Sequence, residues 1–163
     1  MEKRMKPTGH FVMKGASVTT IEASIYEDRF GTAESNVFSL VFSGGESLKV
    51  KAKFTVNVED VEIKDEQEDG GVILQAEGGG SFQFLDENQQ LLFEGEWCVD
   101  MGRTRLVVNN NVITELKVVG DYTGAGKNYY TGNHISGQMT LELARLDGSG
   151  IGVYRIRGEG TIA

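Results

Sequence analysis

The 163-residue chain holds one cysteine (Cys98), one proline (Pro7), one tryptophan (Trp97) and two histidines (His10 and His134). A single cysteine allows no intrachain disulfide and no zinc cluster built on several thiolates. That usage suits a reducing compartment, and a cytoplasmic protein is expected. One proline argues against a proline-rich disordered chain. No stretch approaches 18 consecutive apolar residues, so no membrane-spanning helix is expected. The basic start, Met1 to Pro7, is followed by no apolar run and does not read as a signal peptide. Positive charge is also scarce: 16 Lys and Arg stand against 24 Asp and Glu, a net charge of −8. Nucleic acids and anionic membranes are therefore poor partners, because phosphate binding needs a basic surface. The two histidines have no ligand spacing to each other or to a carboxylate, so no metal and no cofactor are expected.

Glycine, by contrast, is abundant, 22 of 163 residues or about twice the ~7% usual. With no repeat period, this suits a β protein with many turns. A chain of this length is expected to form one domain, burying about two-thirds of its unfolded surface. Residues 1–9 are expected to form a flexible tail, and residues 10–163 the domain.

The strongest pattern lies in Leu48 to Val58, where apolar side chains take every even position and polar ones every odd position. Period two places all the apolar groups on one sheet face. Eleven residues at ~3.3 Å each make a strand roughly 36 Å long. Beyond it the phase flips, since Val61 and Ile63 are odd, and one extra residue near Glu59 or Asp60 restores the inward face as a β-bulge does. The same alternation appears at Phe11, Met13 and Gly15; at Thr19, Ile21, Ala23 and Ile25; at Phe38, Leu40 and Phe42; and at Phe82 and Phe84. Leu91, Phe93, Gly95, Trp97, Val99 and Met101 alternate with Leu92, Glu94, Glu96, Cys98 and Asp100. Asn109-Asn110-Asn111 reads as a tight turn between Val108 and Val112. Met139, Leu141 and Leu143, then Tyr154, Ile156 and Ile162, form the last series. The best helical candidate, Glu27 to Glu34, is short and broken by Gly31. About eight strands joined largely by hairpins remain. Such a sheet closes into a barrel or folds into a sandwich, and a long bulged strand favours the barrel. The expected fold is all-β, a single antiparallel β-barrel of about eight strands.

Chemical motifs are few. Residues 59–69 carry seven acids against one lysine, but the calcium-loop positions 3 and 12 counted from Asp65 fall on Gln67 and Ala76. The run reads as a solvated hairpin tip. Gly124-Ala125-Gly126-Lys127 is followed by Asn128 where a phosphate loop needs a hydroxyl. Cys98 shares its face with Glu96 and Asp100, whose charge disfavours a thiolate, so an inert cysteine is expected. Glu94 and Glu96 face outward and make no acid–base pair. The remaining set is aromatic: Phe93, Trp97, Tyr122, Tyr129, Tyr130 and Tyr154, with His134. It reads either as plain core or as the wall of a pocket with apolar sides and a few polar groups. An eight-stranded barrel accommodates both, since its interior is just wide enough to be filled or to hold one small ligand.

Val118 to Gly126, Tyr130-Thr131-Gly132 and Gly137, followed by Met139 to Leu143 and Val153 to Ile162, resemble the closing half of the allene oxide cyclase-like barrels. That superfamily includes plant cyclases, dirigent proteins and bacterial polyketide cyclases. The resemblance implies an eight-stranded antiparallel barrel with a central cavity, often in a homo-oligomer, and it assigns no catalytic residue.

Two functional readings follow. The first is a cyclase or isomerase that holds one hydrophobic, flexible molecule and acts mainly by positioning. Its expected ligand pocket is Phe93, Trp97, Tyr122, Tyr130, His134 and Tyr154, and its lid the glycine-rich segment carrying Tyr122, Tyr130 and His134. The second is a non-catalytic hydrophobic-ligand carrier, or a structural barrel with no ligand.

Overall fold

The computed structural model describes residues 6–21, 30–66, 72–100, 105–109, 112–146 and 152–163. Among them nine strands follow in chain order: β1 (Gly9–Ile21), β2 (Phe30–Phe42), β3 (Ser47–Glu66), β4 (Val72–Leu85), β5 (Leu91–Val99), β6 (Arg105–Asn109), β7 (Val112–Gly126), β8 (His134–Leu146) and β9 (Gly152–Ile162). Each pairs antiparallel with its neighbours, and β9 returns to β1. Strands β5 and β6 succeed one another between β4 and β7, forming one interrupted stave. The result is a closed, up-and-down barrel of eight staves with no free sheet edge. Residues 30–34 of the candidate helix belong to β2, because Gly31 and Ala33 pair with Val56 and Phe54.

The inward series are the core. Phe11, Met13, Phe38, Leu40, Phe42, Val50, Ala52, Phe54, Phe82, Phe84 and Ile156 are all buried, while His10, Lys49, Lys53 and Glu96 are exposed. The polarity is opposite to that of a barrel facing lipid, whose outward band is apolar. Among the described residues no helix is long and apolar enough to cross a membrane.

Curvature comes from bulges. One lies in β3 between Glu59 and Glu62, opposite β4, at the place the phase flip predicts, and a second follows between Ile63 and Asp65. A bulge in β5 lies between Phe93 and Leu91, opposite Phe84 and Leu85. It turns Leu92 into the core, although strict alternation assigns Leu92 to the outer face. The most elaborate bend couples β1 and β2. In β1, Lys14 and Gly15 together oppose the single residue between Gly158 and Ile156, and Gly15 takes φ +82°. That is the left-handed conformation in which glycine carries no penalty. The phase flips there, so Ala16 and Val18 are buried after Phe11 and Met13. In β2, Ser35 and Asn36 form a second bulge opposite Ala52. The Ala52 N–H donates to Ser35 Oγ at 2.8 Å, and Ser35 Oγ donates to the Asn36 carbonyl at 2.7 Å. Asn36 then clamps the first bulge: its Oδ1 accepts from the Ser17 N–H at 2.8 Å and its Nδ2 donates to the Gly15 carbonyl at 3.2 Å. Asn36→Ala is expected to lower stability by about 1–2 kcal/mol by removing both bonds. Denaturant titration checks this; a change below about 0.3 kcal/mol shows that the bulges hold without the clamp.

Candidate functional site

The end of the barrel where β1 begins is plugged. A short 3-10 helix, Asn128–Tyr130, follows β7 and drives Tyr130 into the interior, where it is fully buried. Its ring lies 4.7 Å from that of Phe93, and its hydroxyl donates to the Pro7 carbonyl at 2.8 Å. Lys6 Nζ sits 5.7 Å from the same ring, a cation–π distance. Lys6 and Pro7, assigned by the sequence to a flexible tail, therefore help close this end. The loop around Tyr130 is held by its own bonds: Asn128 Nδ2 donates to the Leu91 carbonyl at 2.8 Å, and Asn133 Nδ2 to the Ala163 carbonyl at 3.1 Å. The glycine-rich segment expected to act as a lid is otherwise ladder, since Gly120 to Ala125 pair on both sides with β5 and β8.

Above the plug the interior is filled by an aromatic cluster. Phe82 meets Phe84 at 5.3 Å and Tyr122 at 5.5 Å, and Phe38 meets Phe84 at 6.1 Å. These tilted and edge-on arrangements add to simple burial. Tyr122 lies across inward glycines of β8 and β9 and donates its hydroxyl to the Glu159 carbonyl at 3.2 Å. Burial, and secondarily the charge of Glu159, pushes its phenol well above the ordinary range. Trp97, cross-strand neighbour of Tyr122, lies over Gly120. Its Nε1–H reaches past β4 and donates to the Thr55 carbonyl at 3.0 Å. At that point Thr55 Oγ1 accepts from the Ser81 N–H at 2.7 Å, so a side chain replaces the usual ladder bond.

Towards the other end the lining changes. Ala16, Val18, Ala33, Ala52 and Ser35 are small and buried, whereas Trp97, Leu141 and Leu143 pack on the core yet remain partly exposed. Among the described residues these large apolar side chains face inward, still touch solvent and wall a bowl; the turns at that end lie outside the described residues. Tyr154 stands on its wall, between Leu143 and Val18 in register. Burial raises its phenol pKa. Unlike Tyr122 and Tyr130, it has no hydrogen-bond partner among the described residues. Since no buried side-chain polar atom is left unpaired among the described residues, the Tyr154 hydroxyl touches accessible space.

The six expected pocket residues thus fall into separate places. Phe93 and Tyr130 form the plug, Trp97 and Tyr122 one wall, and Tyr154 another. His134 is exposed at the first residue of β8, where its backbone pairs with Ala163. Sequence alternation gave no sign of Leu141 and Leu143 as bowl residues distinct from core, because both kinds share one phase. Cys98 is exposed, as its phase predicts. The tip of the acidic run, residues 67–71, lies outside the described residues. Among the described residues no three His, Cys, Asp or Glu side chains converge on a metal position.

A second concavity lies elsewhere. A half-open depression of about 520 Å³ follows the double bulge, lined by Met13 to Ser17 of β1 and Val153 to Arg157 of β9. Its lining comes from two adjacent strands and includes exposed Lys14, Arg155 and Arg157 on their outer face, together with the buried Met13, Ala16, Tyr154 and Ile156. A lumen is lined from several sides. No protein-family model, curated protein or solved structure matches the chain.

Proposed function

We propose that the barrel binds one hydrophobic small molecule in the bowl walled by Trp97, Leu141, Leu143 and Tyr154. The observation that carries this reading is the partial exposure of three large inward apolar side chains beside a buried tyrosine whose hydroxyl has no hydrogen-bond partner among the described residues. An apolar wall with a single convergent polar group is the usual make-up of a small-molecule site. The first role is that of a carrier, because the other polar groups inside are already spent: Trp97 Nε1, Tyr122 Oη and Tyr130 Oη each donate to a backbone carbonyl. Tyr154 favours a second role. Its raised pKa keeps the phenol protonated, so it can donate to a developing oxyanion while the walls hold a flexible chain folded. Such a site would serve a cyclisation or isomerisation, the chemistry the allene oxide cyclase-like resemblance implies.

The test uses the emission of the one tryptophan and calorimetry, with a panel of fatty acids, polyketide-like and aromatic compounds. A saturable emission shift is expected for at least one, and Trp97→Ala should weaken that compound by about 1–3 kcal/mol, roughly five- to 150-fold. Tyr154→Phe should leave a carried ligand bound; loss of turnover with binding intact assigns the cyclase or isomerase role. If the whole panel leaves emission and Tm unchanged, the barrel is structural and the reading fails.

A further inference from the structure

We propose that the depression on the outer face of β1 and β9 is an anion site, built by Lys14, Arg155 and Arg157, for a doubly charged phosphate group such as that of a phosphate monoester. Its three cations lie on the outer face, while Ala16 and Tyr154 belong to the lining of both the depression and the bowl.

Three observations converge. The first is placement. Arg155 and Arg157 stand two residues apart on the outer face of β9, about 6–7 Å from each other. Lys14 belongs to the bulge that opposes Arg157 across the pair, on a strand about 4.8 Å away. Residues 14 and 155–157 are far apart in the chain, and only closure of the barrel by β1 on β9 joins them. The second is charge. The chain has 24 carboxylates, yet among the described residues none forms an ion pair with any of these three cations. The facing groups on the neighbouring strands are few. Glu142 of β8 lies opposite Arg155 in register, and Thr140 lies opposite Arg157. Glu159 is engaged with His10 at 3.3 Å, and Ser39 of β2 faces Lys14. Counting Glu142 and Glu159 against the three cations leaves a local charge of +1 on a chain of net −8.

The third is shape. The cations border a concavity of about 520 Å³, and Gly15 at its centre has nothing within 4 Å of where a Cβ would stand. Asn36 holds the bulge from the β2 side, so the concavity is part of a bonded frame. Guanidinium groups present paired N–H donors that match a phosphate, and Lys adds a point charge. A polyanion would meet the repulsion of the whole acidic chain, which leaves a small molecule as the ligand.

The experiment is an amide chemical-shift titration of the ¹⁵N-labelled protein with inorganic phosphate and, separately, phenyl phosphate, at ionic strength held constant with NaCl. Saturable shifts are expected at the amides of residues 14–17 and 155–157. Tighter binding of phenyl phosphate assigns the site to an ester; equal binding assigns it to the phosphate group alone. The double variant Arg155→Gln/Arg157→Gln should weaken binding at least tenfold with Tm unchanged, and Lys14→Gln provides a second reading if the double variant folds poorly. Shifts that grow linearly without saturation, that spread equally to Lys49 and Lys127, or that survive these substitutions overturn the proposal.

Discussion

Val50→Asp is expected to unfold the barrel at room temperature or to lower its Tm by about 10 °C or more. Val50 is wholly buried near the start of β3, opposite Phe38 of β2 and beside Ala52. A carboxylate there has no cation or donor to meet, so it must either stay charged at high cost or take up a proton. Either way the loss is on the order of several kcal/mol, a large part of the stability of a domain this size. The neighbouring position gives the control. Lys51 lies on the opposite face and pairs with Glu34 at 2.6 Å. That pair holds the Glu34 carboxyl below its ordinary pKa, chiefly through the Lys51 hydrogen bond. The lowered value means the pair stabilises the fold above the unfolded carboxylate pKa, and the contribution is lost as pH falls through the folded one. Because Glu34 is exposed, the contribution is small, and Lys51→Gln should change stability by about 0.5 kcal/mol or less. Thermal melts of the two variants decide the register: equal shifts would show that the two residues do not lie on opposite faces.

Gly160→Ala is expected to be nearly as damaging, although it adds one methyl group. A Cβ at residue 160 meets the Tyr122 hydroxyl oxygen, the Ser136 carbonyl at 2.6 Å and Phe11 Cζ at 2.7 Å. Two of these belong to buried rings and one to paired backbone, so none can step aside cheaply. Overpacking of a filled interior costs typically about 1–3 kcal/mol and here adds loss of the Tyr122 bond to Glu159. The control is Gly44→Ala in the β2–β3 turn, where the nearest atom is Glu46 Oε1 at 3.9 Å. It should be neutral within about 0.5 kcal/mol. A Gly160→Ala protein that melts with the native one would mean the aromatic cluster has room to shift, which would also weaken the distinction between a filled end and an open bowl.

That distinction matters for function. The tyrosine hydroxyls at the filled end hold backbone carbonyls and so serve the fold. Among the described residues, the wall carrying Tyr154 combines an apolar surface with a tyrosine hydroxyl that has no hydrogen-bond partner there. Chemistry or binding in this barrel is therefore expected at the end where the lining turns from Phe and Tyr to Ala, Val and Leu.

Alternation alone was enough to assign the class of fold, the inward faces at Phe38 to Phe42, Val50 and Phe82 to Phe84, the outward face of His10 and Cys98, and the bulge after Glu59. Each is a local property: a period of two states which side chains share a face without reference to any partner. The remaining features depend on partners that are distant in the chain. The Lys14–Gly15 bulge exists because β1 must follow β9 around the barrel, and the β5 bulge that buries Leu92 because β5 must follow β4. Whether a glycine is a hinge or a floor under an aromatic ring depends on what lies across the sheet, so the glycines of β7 and β8 that read as a lid prove to be room for Trp97 and Tyr122. The same holds for the two sites. Tyr130 and Tyr154 look alike in the sequence, but the hydroxyl of one finds the Pro7 carbonyl and that of the other finds no partner among the described residues. Lys14 meets Arg155 and Arg157 only because closure places the first strand against the last, since hydrogen-bonded edges left open would expose their backbone groups.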